Sequence, residues 1–97
     1  MPRRRVGIAS GVGLHARPAA LLAKSAAAQP VPVTIAKVTD GAAGEPVDAA
    51  SVLGLMGLGV EHGDEVELGA ADSEEADSVL DELVALLSTD LDAEPAS

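Results

Sequence analysis

The residues best suited to chemistry are a histidine and an arginine in the segment Gly13-Leu14-His15-Ala16-Arg17-Pro18-Ala19-Ala20. A helix is predicted to begin here, because proline is favoured in a first helical turn and apolar residues then recur at helical spacing. The unpaired N–H groups and the dipole of a helix start stabilise an anion such as phosphate. The same field disfavours a cationic imidazole, so we expect His15 to stay neutral and nucleophilic near pH 7.

Arg17 is the second candidate, because its guanidinium can supply charge-assisted hydrogen bonds to phosphoryl oxygens. The small side chains of Ala16, Ala19 and Ala20 leave the imidazole accessible to a docking partner. Lys24 lies two helical turns after Arg17 on the same face, where it could meet acidic groups of a partner. The alternatives are that His15 is a solvent-exposed residue or an imperfect cap, and that Lys24 is a solvated surface lysine.

Charge is distributed unevenly along the 97 residues. All six basic residues lie among the first 37 positions, which contain no Asp or Glu, and every charged residue after them is acidic. The net charge of −10 argues against nucleic-acid binding, which requires a basic surface. The basic N-terminal third instead predicts a local cationic zone for an anionic ligand or an acidic partner.

Composition excludes several kinds of site. The sequence has no Cys, so it forms no disulfide and offers no thiolate nucleophile or ligand. His62, with no Cys nearby, is predicted to be a turn residue, and we expect neither a metal nor a cofactor. No apolar run approaches a signal-peptide core or a membrane span, and the absence of Cys fits a cytoplasmic setting. We also expect a monomer.

The elements that must position these residues follow the order β-α-β-β-α-β-α. Strands are predicted at residues 4–9, 31–38, 46–48 and 65–68, with a turn at 39–45. The first helix is predicted to end at Gln29-Pro30, and the last to start at a capping box of Asp72 and Glu75. The predicted fold is α+β: a four-stranded antiparallel sheet covered on one face by three helices, spanning residues 1–88. Residues 89–97 are predicted to be a disordered acidic tail.

A short second helix, residues 52–58, is predicted to start at the N-cap residue Ser51. Leu55 and Leu58 share one side of this helix and are predicted to enter the core. The side chains of Val52, Leu53 and Met56 fall on another side, where they would form a small exposed apolar patch suited to transient complexes. The alternative is that all five side chains pack in the core.

Two segments together resemble one protein family. Residues 13–20 are similar to the active-site signature of HPr, the histidine-containing phosphocarrier of the bacterial sugar phosphotransferase system (PTS). The segment Ala50-Ser51-Val52-Leu53-Gly54-Leu55-Met56-Gly57-Leu58-Gly59 resembles the helix around the HPr serine. The predicted element order is also that of the family, so the resemblance spans about residues 4–88.

The resemblance implies a fold, an activity and partners. The fold would be the open-faced two-layer sandwich of HPr, and the protein would be a carrier rather than an enzyme. Enzyme I, phosphorylated from phosphoenolpyruvate, would donate its phosphoryl group to the δ1 nitrogen of His15. The backbone N–H groups of Ala16 and Arg17 would cradle the phosphate, and the A domains of sugar permeases would receive it. Residues Ala20, Lys24, Val52, Leu53 and Met56 would contact these partners.

Other functions remain open at the level of sequence. Ser51 matches the serine that an HPr kinase phosphorylates in many Gram-positive bacteria, so this kinase and a catabolite regulator are further candidate partners. A nitrogen-related or catabolite-control paralogue would use the same fold to bind a regulator, although the presence of His15 favours the carrier. A small hydrolase with a histidine nucleophile would need a general acid, and no Asp or Glu precedes residue 40.

Overall fold

The computed structural model describes residues 2–8, 16–61 and 63–88. Residues 9–15, which include His15, as well as His62 and the predicted tail at 89–97, lie outside the described residues. The turn predicted at His62 and the domain boundary predicted at residue 88 therefore stay predictions. The elements are β1 (Arg3–Gly7), α1 (Ala16–Ala27), β2 (Val33–Thr39), β3 (Ala42–Ala43), β4 (Val47–Asp48), α2 (Val52–Gly57), β5 (Glu65–Ala70) and α3 (Ala76–Leu87).

One antiparallel sheet carries the domain. Its strand order is β1-β5-β2-β3, and β4 also pairs with β2. Along β5, Val66, Leu68 and Ala70 point to the side that all three helices cover, where they are buried in a single core. The intervening side chains point to the opposite side of the sheet. This arrangement confirms the predicted α+β fold with helices on one face.

The sheet contains one strand more than the sequence analysis predicted. Thr39 pairs with Ala42 across the two-residue turn Asp40-Gly41, so the short strand β3 lies within the predicted turn at 39–45. Both turn residues have positive φ angles, 52° at Asp40 and 81° at Gly41, as a type I′ hairpin requires. The dipeptide Asp40-Gly41 is therefore the local sequence pattern that indicates a hairpin in this segment.

The core is built from helical stripes of small and aliphatic side chains. The predicted stripe of α1 is confirmed, since its members are at most 6% exposed: Ala19, Leu22, Ala23 and Ala26. The predicted stripe of α3 is buried as well: Ala76, Val79, Leu80, Leu83 and Leu87. Because the sequence has no aromatic residues, aliphatic side chains and alanines make up the buried helix faces.

The start of α2 agrees with the prediction, and the start of α3 does not. The Ser51 Oγ accepts a hydrogen bond of 3.0 Å from the Gly54 N–H, so Ser51 is the N-cap of α2 as predicted. The capping box predicted for the last helix is wrong. The N-cap of α3 is Glu75, whose side chain makes no capping bond, because a turn over Ser73–Ala76 delays the helix start.

In the part of the chain that the structure describes, no helix combines the length and apolarity required to cross a bilayer. Within residues 2–8, 16–61 and 63–88, no three His, Asp or Glu side chains are grouped to hold a metal ion.

Candidate functional site

The first turn of α1 positions the predicted phosphate-binding residues. The helix begins at Ala16, so His15 directly precedes its first residue. Pro18 is fully buried and Ala19 is 0% exposed, which anchors this turn in the core, while the Arg17 side chain is exposed to solvent. The first turn contains no acidic residue, so nothing within it competes for the N–H groups or the guanidinium. This helix start is suited to holding an anion.

The exposed face of α1 extends the predicted site along the helix. Arg17, Ala20 and Lys24 are all exposed and follow one another at a spacing of three and four residues, which places them on one side of the helix. The small side chain of Ala20 lies between the two cations and leaves the helix surface accessible to a partner. The predicted partner-contacting residues of this helix therefore share one accessible face.

The predicted cationic zone is smaller in the structure than in the sequence. Four of the six basic residues form ion pairs with carboxylates from later in the chain: Arg3 and Arg5 with Glu67, Arg4 with Asp77 and Asp81, and Lys37 with Asp64. Among the described residues, Arg17 and Lys24 form no ion pair. The cationic character is thus concentrated on α1, because the strand arginines are neutralised by the acidic C-terminal half.

The second helix places two apolar side chains in solvent. Helix α2 packs against α1. Leu53 is 83% exposed and Met56 is 43% exposed, which makes them the large exposed hydrophobic residues of the described chain. Leu55 is fully buried, as predicted, whereas Leu58 is only partly buried. Val52 also packs against the core, so the exposed part of the predicted patch consists mainly of Leu53 and Met56.

Ser51 occupies a half-buried position at the start of α2, two residues before Leu53 in the sequence. Its hydroxyl oxygen is engaged by the Gly54 N–H, and a Cβ atom added at Gly54 would lie 3.2 Å from that oxygen. The glycine at position 54 therefore leaves the serine side chain room to cap the helix.

An ionic cluster at the end of α2 was missed by the sequence analysis. The Lys37 Nζ donates a 3.2 Å hydrogen bond to the Gly59 carbonyl and lies 3.6 Å from the Asp64 Oδ2. The same carboxylate oxygen accepts a 2.9 Å hydrogen bond from the Glu61 N–H. This bond, together with the Lys37 ammonium, holds the pKa of Asp64 below its ordinary value of 3.8. Because Lys37 is far from Gly59 and Asp64 in the sequence, no local sequence pattern predicts that they meet.

Comparison with known proteins places this arrangement in one family. The family model described as PTS HPr component phosphorylation site matches residues 2–89. The phosphocarrier protein HPr of Streptomyces coelicolor is 45% identical over 95 residues, which cover 98% of this chain and 97% of the relative.

Solved structures agree with the sequence match. HPr-C-His from Thermoanaerobacter tengcongensis has a TM-score of 0.79 at 30% identity and covers 98% of this chain and 100% of its own. Crh, the catabolite repression HPr of Bacillus subtilis, has a TM-score of 0.58 at 35% identity, covering 89% of this chain and 95% of its own.

Proposed function

Because the chain belongs to the PTS HPr family of phosphocarrier proteins, we propose that His15 accepts a phosphoryl group from phosphorylated enzyme I and passes it to the A domains of sugar permeases. The observation that carries the proposal is the position of His15. It directly precedes a helix whose first turn exposes Arg17 and contains no acidic residue. We further propose that this relay operates in the cytoplasm with the protein as a monomer.

In the proposed step, the δ1 nitrogen of neutral His15 attacks phosphorus while the bond between phosphorus and the donor atom of enzyme I breaks. The phosphoryl oxygens gain the Arg17 guanidinium and the unpaired N–H groups of Ala16 and Arg17 as hydrogen-bond donors. Delivery reverses the step, with a nucleophile of the acceptor domain attacking the same phosphorus. The chain completes no catalytic cycle by itself, because it is the substrate of one partner and the donor to the next.

The exposed faces of α1 and α2 are the proposed docking surface for both partners. Leu53 and Met56 would insert into an apolar area of the partner, and the flexible methionine would adapt to different partners. Lys24 would face acidic groups, and Ala20 would allow close approach to the helix. Val52 would contribute only its exposed part, since it also packs against the core.

The experiment that tests the proposal uses enzyme I and phosphoenolpyruvate labelled in the phosphoryl group. We expect one acid-labile, base-stable label per chain. The sequence contains two histidines, so His62→Ala is a matched control for His15→Ala. Loss of label in the His15 variant with retention in the His62 variant supports the proposal. Label that persists in His15→Ala contradicts it.

Replacement of Arg17 tests the proposed phosphate contact separately. Arg17→Ala should slow the transfer without unfolding the protein, because the side chain is exposed and contributes little to the core. Arg3→Ala, at an exposed strand arginine outside the proposed docking surface, is the control for a general loss of positive charge. A rate that falls equally in both variants would argue for general electrostatic attraction instead of a contact from Arg17.

A regulatory role at Ser51 is a second proposal, favoured by the similarity to Crh. A phosphate on Ser51 would replace the capping hydroxyl and place negative charge beside Leu53 and Met56, weakening enzyme I binding through repulsion and desolvation. An HPr kinase would add this group, and a catabolite regulator would recognise it. Incubation with HPr kinase and ATP should yield phosphoserine in the wild type and none in Ser51→Ala. Absence of phosphoserine in the wild type would refute this role.

A further inference from the structure

The ionic cluster around Lys37 joins three separate parts of the chain. Lys37 lies on the central strand β2, Gly59 follows the last turn of α2, and Asp64 precedes β5. The Lys37 ammonium bonds to the Gly59 carbonyl at the negative end of α2, where a cation is favourable. Its ion pair with Asp64 ties the residues leading out of α2 back to the sheet. The cluster therefore connects the segment that follows α2 with β2 and with the start of β5.

The same cluster also contacts the chain that leads toward His15. The Ile8 N–H donates a 2.9 Å hydrogen bond to the Asp64 carbonyl, and the Ile8 carbonyl accepts a 3.0 Å bond from the Gly63 N–H. Ile8 is buried and is the last residue described before Ala16. One residue, Asp64, thus connects the end of α2 through its side chain and the end of β1 through its backbone.

We propose that Lys37 and Asp64 form a positioning pair that fixes the end of the docking helix α2 relative to strands β1 and β2. The inference rests on the proposed phosphocarrier function and assigns these two residues a role in partner docking. A partner must engage His15 and the Leu53–Met56 side of α2 at the same time. Loss of the pair loosens the end of α2 against the sheet, so fewer molecules present the Leu53–Met56 side in the arrangement that docking requires.

The chain offers variants that separate this role from a general loss of charge. Lys37→Met removes both contacts of the ammonium, whereas Lys37→Arg keeps a cation that can reach both acceptors. Asp64→Asn keeps an acceptor for the Glu61 N–H and removes only the charge. Arg4→Met is the matched control, because Arg4 forms a 3.0 Å ion pair with Asp77 and its side chain is 37% exposed, against 36% for Lys37.

The assay measures steady-state transfer from phosphorylated enzyme I with each full-length variant as substrate. We expect Lys37→Met to raise the KM for the chain about fivefold, as loss of one partly exposed ion pair permits, with kcat changed less than about twofold. Asp64→Asn should raise KM by a smaller factor, and Lys37→Arg should restore it. Arg4→Met should leave both constants at wild-type values.

Amide hydrogen exchange provides a readout that does not depend on transfer. The Ile8 and Glu61 N–H groups should exchange faster in Lys37→Met than in Arg4→Met, because both bonds involve Asp64. An unchanged KM, or a fall in kcat at unchanged KM, would overturn the positioning role. A wild-type chain that takes no label on His15 would instead refute the proposed function, so the two failures are distinguishable.

Discussion

Glycine at position 57 is predicted to cost α2 stability without any structural benefit. Gly57 is the last residue of α2, it is exposed, and a Cβ atom built there meets no heavy atom within 4 Å. Alanine is favoured over glycine in a helix by roughly 0.5–1 kcal/mol, because it loses less backbone entropy on folding. Gly57→Ala should therefore raise the free energy of unfolding by about this amount.

Gly54 in the same helix is the matched comparison. A Cβ atom there would lie 3.2 Å from the Ser51 Oγ and 3.3 Å from the Ser51 Cβ, which is closer than such atoms normally approach. The Ser51 side chain would have to move by a few tenths of an ångström to admit the methyl group, which weakens its bond to the Gly54 N–H, and full loss of such a cap costs about 1 kcal/mol. In Gly54→Ala this loss offsets the gain in helix propensity, so we expect no net stabilisation.

Thermal unfolding followed by circular dichroism distinguishes the two substitutions. A change of 1 kcal/mol shifts the Tm of a domain of this size by about 4–8 °C, so Gly57→Ala should raise the Tm by roughly 2–8 °C. The Tm of Gly54→Ala should equal or fall below that of the wild type. A Gly54→Ala variant that is as stabilised as Gly57→Ala would refute the argument that Ser51 needs the space above Gly54.

Two further predictions concern α2 and Asp64. Leu55→Ala should destabilise the fold by about 2–5 kcal/mol because Leu55 is fully buried, whereas Leu53→Ala should change it by less than about 0.5 kcal/mol and weaken enzyme I binding. If urea unfolding showed that both variants lose the same free energy of unfolding, Leu53 would have to be packed in the core. The pKa of Asp64 is lower in the folded protein than in the unfolded chain, so its carboxylate stabilises the fold at pH values above the ordinary pKa. This stabilisation is lost as the pH falls through the pKa of the folded state. The difference in urea midpoint between wild type and Asp64→Asn should be constant near pH 7 and shrink below about pH 4; a difference that grows in acid would contradict the shift.

Local patterns in the sequence predicted the helices and their buried faces. Ala19 and Leu22 lie in the core because apolar residues recur at the helical period, and Ser51 caps α2 because a hydroxyl there can bond to a free N–H. The start of α3 was predicted wrongly at Asp72, since an acidic residue three positions before Glu75 satisfies the capping pattern even where the chain first forms a turn.

The ion pairs could not be predicted from the sequence without knowledge of the fold. Arg4 meets Asp77, 73 residues later, because α3 lies beside β1, and no local pattern encodes that contact. The sequence therefore predicted a broad cationic zone, whereas the structure concentrates it on α1. The contacts of Lys37 with Gly59 and Asp64 were missed for the same reason, since they depend on the position of α2 above the sheet.

The most direct test of the central claim follows a phosphoryl group through the chain. The protein is labelled by enzyme I, separated from it, and mixed with the A domain of a sugar permease. The proposed function predicts that label leaves His15 and appears on the A domain in equal amount, and that the His62→Ala variant behaves in the same way. Label that stays on the chain, or that is released only as inorganic phosphate, would contradict the claim that His15 accepts a phosphoryl group in order to pass it on.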